Sequence, residues 1–70
     1  MKYIVIELQT NTDETVASLV TQHNTKNEAE SKWHTVMAAA AISTLPMHSA
    51  VMMDASGFTY LQGSYEHPAE

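Results

Sequence analysis

No cysteine occurs in this chain, so no disulfide can brace its fold. A zinc site is served almost as poorly. Without thiolates the ligands would be His23, His34, His48 and His67, which are scattered, with no i,i+4 pair on a helix and no H-x-H on a strand. No metal ligand is assigned. Basic residues are just as scarce: Lys2, Lys26 and Lys32 stand alone, without a single arginine. So few cations cannot neutralise a run of phosphates or read base edges, which argues against nucleic-acid binding. Glycine is limited to Gly57 and Gly63, which leaves no glycine-rich phosphate loop. Long apolar runs are missing too. The stretch from Tyr3 to Ile6 is broken by Glu7, too short for the core of a signal peptide. Val36 to Leu45 reaches only about half of the roughly 20 residues that a membrane-spanning helix needs. With no lipidation motif and no N-x-[ST] sequon, the expected compartment is the cytoplasm, with no membrane partner.

What is present reads as one small folded domain of 70 residues, 44% of them hydrophobic. A chain of this size buries only about 60% of the surface its unfolded form exposes, so its core is marginal without reinforcement. Disulfides and zinc being set aside, what remains is oligomerisation, or unaided folding with an efficient core. The net charge is −5, but the acids (Glu7, Asp13, Glu14, Glu28, Glu30, Asp54, Glu66 and Glu70) are spread along the chain. They suit a solubilising surface better than a polyanion mimic.

Tyr3 to Gln9 is a strand by composition, with Ile4, Val5 and Ile6 β-branched. The polar cluster Asn11-Thr12-Asp13-Glu14 makes a turn, and Thr15 to His23 returns as a second strand, completing a hairpin. Thr25-Lys26-Asn27-Glu28 fits a capping box that starts a helix. Ala29, Trp33, Val36, Met37 and Ala40 mark its apolar stripe, and Pro46 bounds it, so the helix is expected from Lys26 to Ser43 or Thr44. Met47 to Met53 is a third strand. Asp54-Ala55-Ser56-Gly57 is a turn whose glycine sits where a positive φ is wanted, and Phe58 to Tyr65 is the fourth strand. The expected fold is α+β: a two-layer ββαββ sandwich over residues 1–65, with one helix on a four-stranded antiparallel sheet of order 2-1-3-4. Residues 66–70, which include Pro68, are expected to fray.

A sheet covered on one side should alternate apolar and polar residues. The first strand does not: Ile4, Ile6 and Leu8 point one way, Tyr3 and Val5 the other. The third repeats the anomaly with Met47, Val51 and Met53 against Ala50 and Met52. One helix covers one set, and the other remains as an apolar patch of the kind that marks an interaction surface. Tyr3, Val5, Ala50 and Met52 are expected to form that surface, with Ile4, Ile6, Leu8, Trp33, Met37, Val51 and Met53 as core. The sequence does not fix which face the helix covers, so the two sets are open to exchange. The expected partner is a second copy of the chain, with another protein as the alternative.

No catalytic residue is assigned. Ser18, Ser31, Ser43, Ser49, Ser56 and Ser64 all lie outside a G-x-S-x-G elbow, and Glu28 and Glu30 are too close in sequence to face each other on a helix. Trp33 belongs to the apolar stripe and reads as core rather than as a ligand platform. The expectation is therefore a non-enzymatic interaction module without a cofactor. Two alternatives stay open: an acidic inhibitor of a host protein, and a module that binds a small ligand or peptide between helix and sheet.

The opening KYIVIELQTN, then TVASLVT, NEAESKWHTVMAAAAIS and PMHSAVM, together covering about residues 2–53, resemble a set of short uncharacterised proteins of Gram-positive gut bacteria and their phages or mobile elements. The resemblance implies a bacterial or phage-encoded accessory protein and carries no activity, cofactor or site residue with it.

Overall fold

In a computed structural model describing residues 1–67, the chain forms β1 (Tyr3–Thr10), β2 (Val16–His23), α1 (Lys26–Ala41), β3 (Met47–Asp54) and β4 (Thr59–Glu66). The strands make one antiparallel sheet in the order β2-β1-β3-β4, and α1 lies across one face. It is the α+β arrangement that the sequence implies.

Each connection has a local cause. The first hairpin closes through Asn11, whose N–H donates to the Thr15 carbonyl at 2.8 Å and whose own carbonyl accepts from Glu14 N–H at 3.0 Å. Asp13 ties the turn further by accepting from both the backbone N–H and the hydroxyl of Thr15. Glu14 turns the chain at φ 69°, a left-handed conformation that costs a non-glycine residue about 1 kcal/mol. The second hairpin turns at Gly57, φ 94°, where a side chain would carry the same strain. Asp54 organises that turn by accepting from Ser56 N–H and hydroxyl, from Phe58 N–H and, on its other oxygen, from the Tyr60 hydroxyl.

At the helix start the Thr25 hydroxyl accepts from the Glu28 amide at 3.2 Å, as the capping pattern implies. Regular helix stops at Ala41, earlier than Pro46 alone demands. The amides of Ile42 and Ser43 bond back to Ala39 and Ala40, which satisfies those two carbonyls, and the Ser43 hydroxyl accepts from Leu45 N–H as the chain leaves the helix. β4 runs one residue beyond the expected strand, and the His67 amide donates to the Pro46 carbonyl at 2.9 Å. Glu66 and His67 therefore belong to the folded unit rather than to a frayed tail. The rest of that expected tail lies outside the described residues.

The core sits between α1 and β1, β3 and β4. Val5 and Met52 from the sheet meet Ala29 from the helix, Tyr3, Trp33, Tyr60 and Leu61 pack around them, and Ala50, Val36 and Ala40 are buried as well. The buried helix residues Ala29, Val36 and Ala40 are small, so helix and sheet approach closely. Gly63, paired opposite Ala50, shows how closely: a Cβ there would stand 2.8 Å from Met37 Cε and 3.1 Å from Trp33 Cζ2. The Trp33 indole N–H donates to the Ala50 carbonyl at 3.1 Å, which satisfies the one polar atom of that ring. No helix among the described residues is long and apolar enough to cross a membrane.

Candidate functional site: the uncovered face of the sheet

Directly opposed residues of antiparallel strands share a face, so the registers assign every side chain. Val5 pairs with Thr21 and Met52, and Glu7 with Leu19 and Ala50. These look toward the helix. Ile4 pairs with Gln22 and Met53, Ile6 with Val20 and Val51, Leu8 with Ser18 and Ser49, and Thr10 with Val16 and Met47. These look away from it. Thr59, Gln62, Ser64 and Glu66 of β4 complete the uncovered face.

The expected surface residues must therefore be reassigned. Val5, Ala50 and Met52 are at most 1% exposed beneath α1, and Tyr3 is half-buried against the same cluster. Of the residues expected in the core, Trp33 and Met37 are placed there. Ile4, Ile6, Leu8, Val51 and Met53 instead line the open face. The physical reason is fit. A stripe built on Ala29, Val36 and Ala40 packs tightly only against a face with room for it, which Ala50 and Gly63 provide. Branched side chains at Ile4, Ile6 and Val51 would hold the helix off.

The open face has an apolar centre. The column Ile4, Ile6, Leu8 is flanked by Val20 on one side and by Val51 and Met53 on the other. Around it stand Gln22, Ser18, Ser49, Thr10, Thr59, Gln62 and Ser64, all neutral. Glu66, at a corner, is the single acid this face carries within its strands. The edge valines are the most open, Val16 at 60% and Val20 at 59%. Sequence alternation revealed the central column. The contributions of Val16 and Val20 became visible only with the β1–β2 register.

The helix side holds the chain's buried polar groups. His48 Nε2 donates to Glu7 Oε2 at 2.6 Å, and Gln9 Nε2 donates to the same oxygen at 2.8 Å. Burial pushes the Glu7 carboxyl upward. The bonds from Gln9 and His48, the charge of His48 and the ammonium of Lys32 outweigh it, holding the carboxyl below its usual range. His48 Nδ1 is buried without a hydrogen-bond partner among the described residues. Asp54 is likewise held low, chiefly by the Ser56 hydroxyl against the opposing effect of burial, with Tyr60 and the turn amides adding to it. Its bond to Tyr60 in turn raises the phenol.

Because α1 lies least against β2, a groove of about 190 Å³ opens between them, lined by Val5, Glu7, Leu19, Val20, Thr21, Lys32 and Val36. No group of three or more His, Asp or Glu side chains able to hold a metal ion is assembled among the described residues. Glu7 and His48 sit 41 positions apart in sequence, so no local pattern could have paired them. Comparison with protein-family models, with curated proteins and with solved structures finds no match to this chain.

Proposed function

We propose that this protein is a non-catalytic interaction module that self-associates by packing the open face of its sheet against the same face of a second copy. The observation that supports this is the apolar centre of Ile4, Ile6, Leu8, Val20, Val51 and Met53 within a neutral polar ring. That is the anatomy of a protein interface, with a desolvated centre and a wet rim. Charge points the same way. In a chain of net charge −5, only Glu66 projects from the strands of this face, so two copies meet without apposing buried acids.

The size is sufficient. Four strands spaced at about 4.8 Å, each about 27 Å long, present roughly 500 Å² in projection. Two such faces bury on the order of 1,000 Å² or more, the threshold for a specific interface. Sheets stacked this way align near −30° and form an isologous pair. The contact also answers the small-core problem, because the larger aliphatic side chains, partly buried in the single chain, are fully withdrawn from water when a second sheet arrives.

The other readings have less support. An acidic inhibitor would gather its acids on one surface, whereas these are divided among the first turn, the helix, the buried sheet face and the end of β4. A small-ligand module has the groove beside Glu7 and Lys32 in its favour, but about 190 Å³ falls short of the roughly 300–1,000 Å³ of ligand pockets. A cytoplasmic accessory role of bacterial or phage origin fits the sequence resemblance and the self-associating reading together.

The test is absolute molar mass by light scattering on a size-exclusion column over a wide concentration range. A discrete multiple of the chain mass, halved by Ile6→Glu with the circular dichroism spectrum unchanged, is expected. A single-chain mass at every concentration, or a multiple that Ile6→Glu leaves intact, would overturn the proposal.

A further inference from the structure

Along its strands and the residues that extend them, the uncovered face carries two charges, one at each end. Ala55 N–H donates to the Lys2 carbonyl at 3.0 Å, which carries the β1–β3 ladder one step beyond Tyr3. Alternation then sets Lys2 on the open side with Ile4 and Ile6, because Tyr3 and Val5 look toward the helix. Its ammonium donates one of its three protons to the side chain of Asn24, the residue across from it just past β2. Glu66 marks the other end, paired with Met47 at the last position of β4. Both charged residues are exposed, and neither forms an ion pair among the described residues.

We infer that the two copies pack with their β1 strands antiparallel, so that Lys2 of each meets Glu66 of the other at both ends of the contact. The inference rests on the face-to-face reading above and names its arrangement. β2 and β3 run parallel, both being antiparallel to β1, and a crossover such as α1 makes between them is right-handed. That fixes the layout. Seen from the open side with β1 pointing up, β2 lies on the left and β4 on the right. At about 4.8 Å between strands and about 3.4 Å per residue, Lys2 lies about 14 Å below the centre of the face and about 2 Å to its left. By the same measure Glu66 lies about 14 Å above the centre and about 7 Å to its right.

Two isologous contacts centred on this face satisfy the aligned crossing near −30°. With the two-fold axis across the strands, the β1 strands are antiparallel, and the second copy's Glu66 falls within about 3 Å of the point that faces Lys2 across the roughly 10 Å gap between sheets. Both side chains are long enough to span it, and the ammonium keeps two protons that Asn24 does not use. With the axis along the strands, the β1 strands are parallel. Lys2 then faces the second copy's Lys2, and the two Glu66 carboxylates are brought together as well. The apolar centre fits either contact, since Ile6 and Val51 flank the axis in both. Charge decides between them: unlike pairs close both ends of the first contact, and like pairs oppose the second.

The experiment is a charge exchange on the intact chain at low ionic strength, where rim charges are least screened. Dissociation constants come from light scattering over a dilution series. Lys2→Glu and Glu66→Lys should each weaken association about 10-fold, and the variant carrying both should return to within about 3-fold of the unmodified protein. Net charge cannot imitate this result. Lys2→Glu takes the chain further from neutrality and Glu66→Lys brings it closer, so general repulsion alone predicts shifts of opposite sign. A second readout needs no variant. A carbodiimide joins a touching amine and carboxylate as an amide, the reagent taking up the water, so a mixture of isotope-labelled and unlabelled chains should give Lys2–Glu66 peptides of mixed label. Tighter association in Lys2→Glu would mean that Lys2 meets Lys2, and would overturn the antiparallel arrangement. So would a multiple that neither substitution shifts and that yields no mixed Lys2–Glu66 peptide. In both of those cases loss of the multiple in Ile6→Glu would still uphold the face contact. A single-chain mass at every concentration would remove the arrangement and the face contact together.

Discussion

On the two central strands, β1 and β3, the covered face of the sheet is the more polar of the two. Beneath α1, Val5, Ala50 and Met52 share the surface with Glu7, His48, Asp54 and Thr21. The open face concentrates Ile4, Ile6, Leu8, Val51 and Met53. Apolar content alone would put the helix on the other side. Two terms decide against that. A helix rich in alanine gains most by close approach, since dispersion is lost over gaps of less than an ångström. The polar groups on its side, His48 Nδ1 excepted, also find partners: Glu7 with His48 and Gln9, Asp54 with the second hairpin turn and Tyr60. Buried polar groups that are paired cost little, while unpaired ones cost about 1–3 kcal/mol each. The face left open keeps its larger aliphatic side chains for a partner.

Truncation on the two faces should separate these roles. Met52→Ala, at a side chain with no exposure, should cost about 2–5 kcal/mol in urea unfolding, and should do so at every protein concentration. In a domain whose total stability is on the order of 5 kcal/mol, much of the population would unfold. Ile6→Ala removes as much apolar bulk from the open face. At concentrations where the protein is a single chain, its cost should be a small fraction of that of Met52→Ala. Equal costs in dilute protein would break the comparison, because they would mean that the chain's own core extends across both faces.

A second contrast probes fit rather than bulk. Gly63→Val forces a branched side chain between Met37 and Trp33 and should cost about 1–3 kcal/mol. Ser64→Val, the next residue on β4 and on the open face, should cost nothing in the isolated chain and should strengthen association. Melting temperatures at two concentrations read both effects. If Gly63→Val is neutral, the close approach of helix and sheet is not what selects the covered face.

How far all this was readable in the sequence follows from the range of each interaction. The strands, the helix cap at Thr25, the glycine turn at Gly57 and the sheet order rest on local propensity and short connections, and they are legible. That one face must stay open and apolar was legible as well, from the failed alternation in β1 and β3. Which face it was lay beyond the sequence, because β-branched residues at Ile4 and Ile6 look like core by hydrophobicity. The deciding contacts, Gly63 beneath Trp33 and Met37 and the pairing of His48 with Glu7, join residues far apart in the chain. The reach of β4 to Glu66 depended on a bond from His67 to Pro46, equally remote.

The polar content of the covered face gives the smallest and most specific effect. Glu7 is held below its ordinary range in the folded chain and titrates normally when unfolded, near pH 4. A carboxylate lowered by folding contributes stability that is complete above the unfolded value and is lost as pH falls through the folded one. Glu7→Gln keeps the shape of the side chain and its carbonyl acceptor but removes that contribution. The two proteins should therefore differ most near neutral pH, by about 1 kcal/mol, allowing for solvent on the groove side. The gap should close as the solution is acidified below pH 4. Asp13 and Asp54, also held low, destabilise both proteins alike over the same range and cancel in the difference. Urea midpoints from pH 7 down to pH 3 measure it. A gap that stays constant, or widens on acidification, would show that the carboxylate is not stabilised by Gln9 and His48. The covered face would then tolerate its polar groups without drawing stability from them.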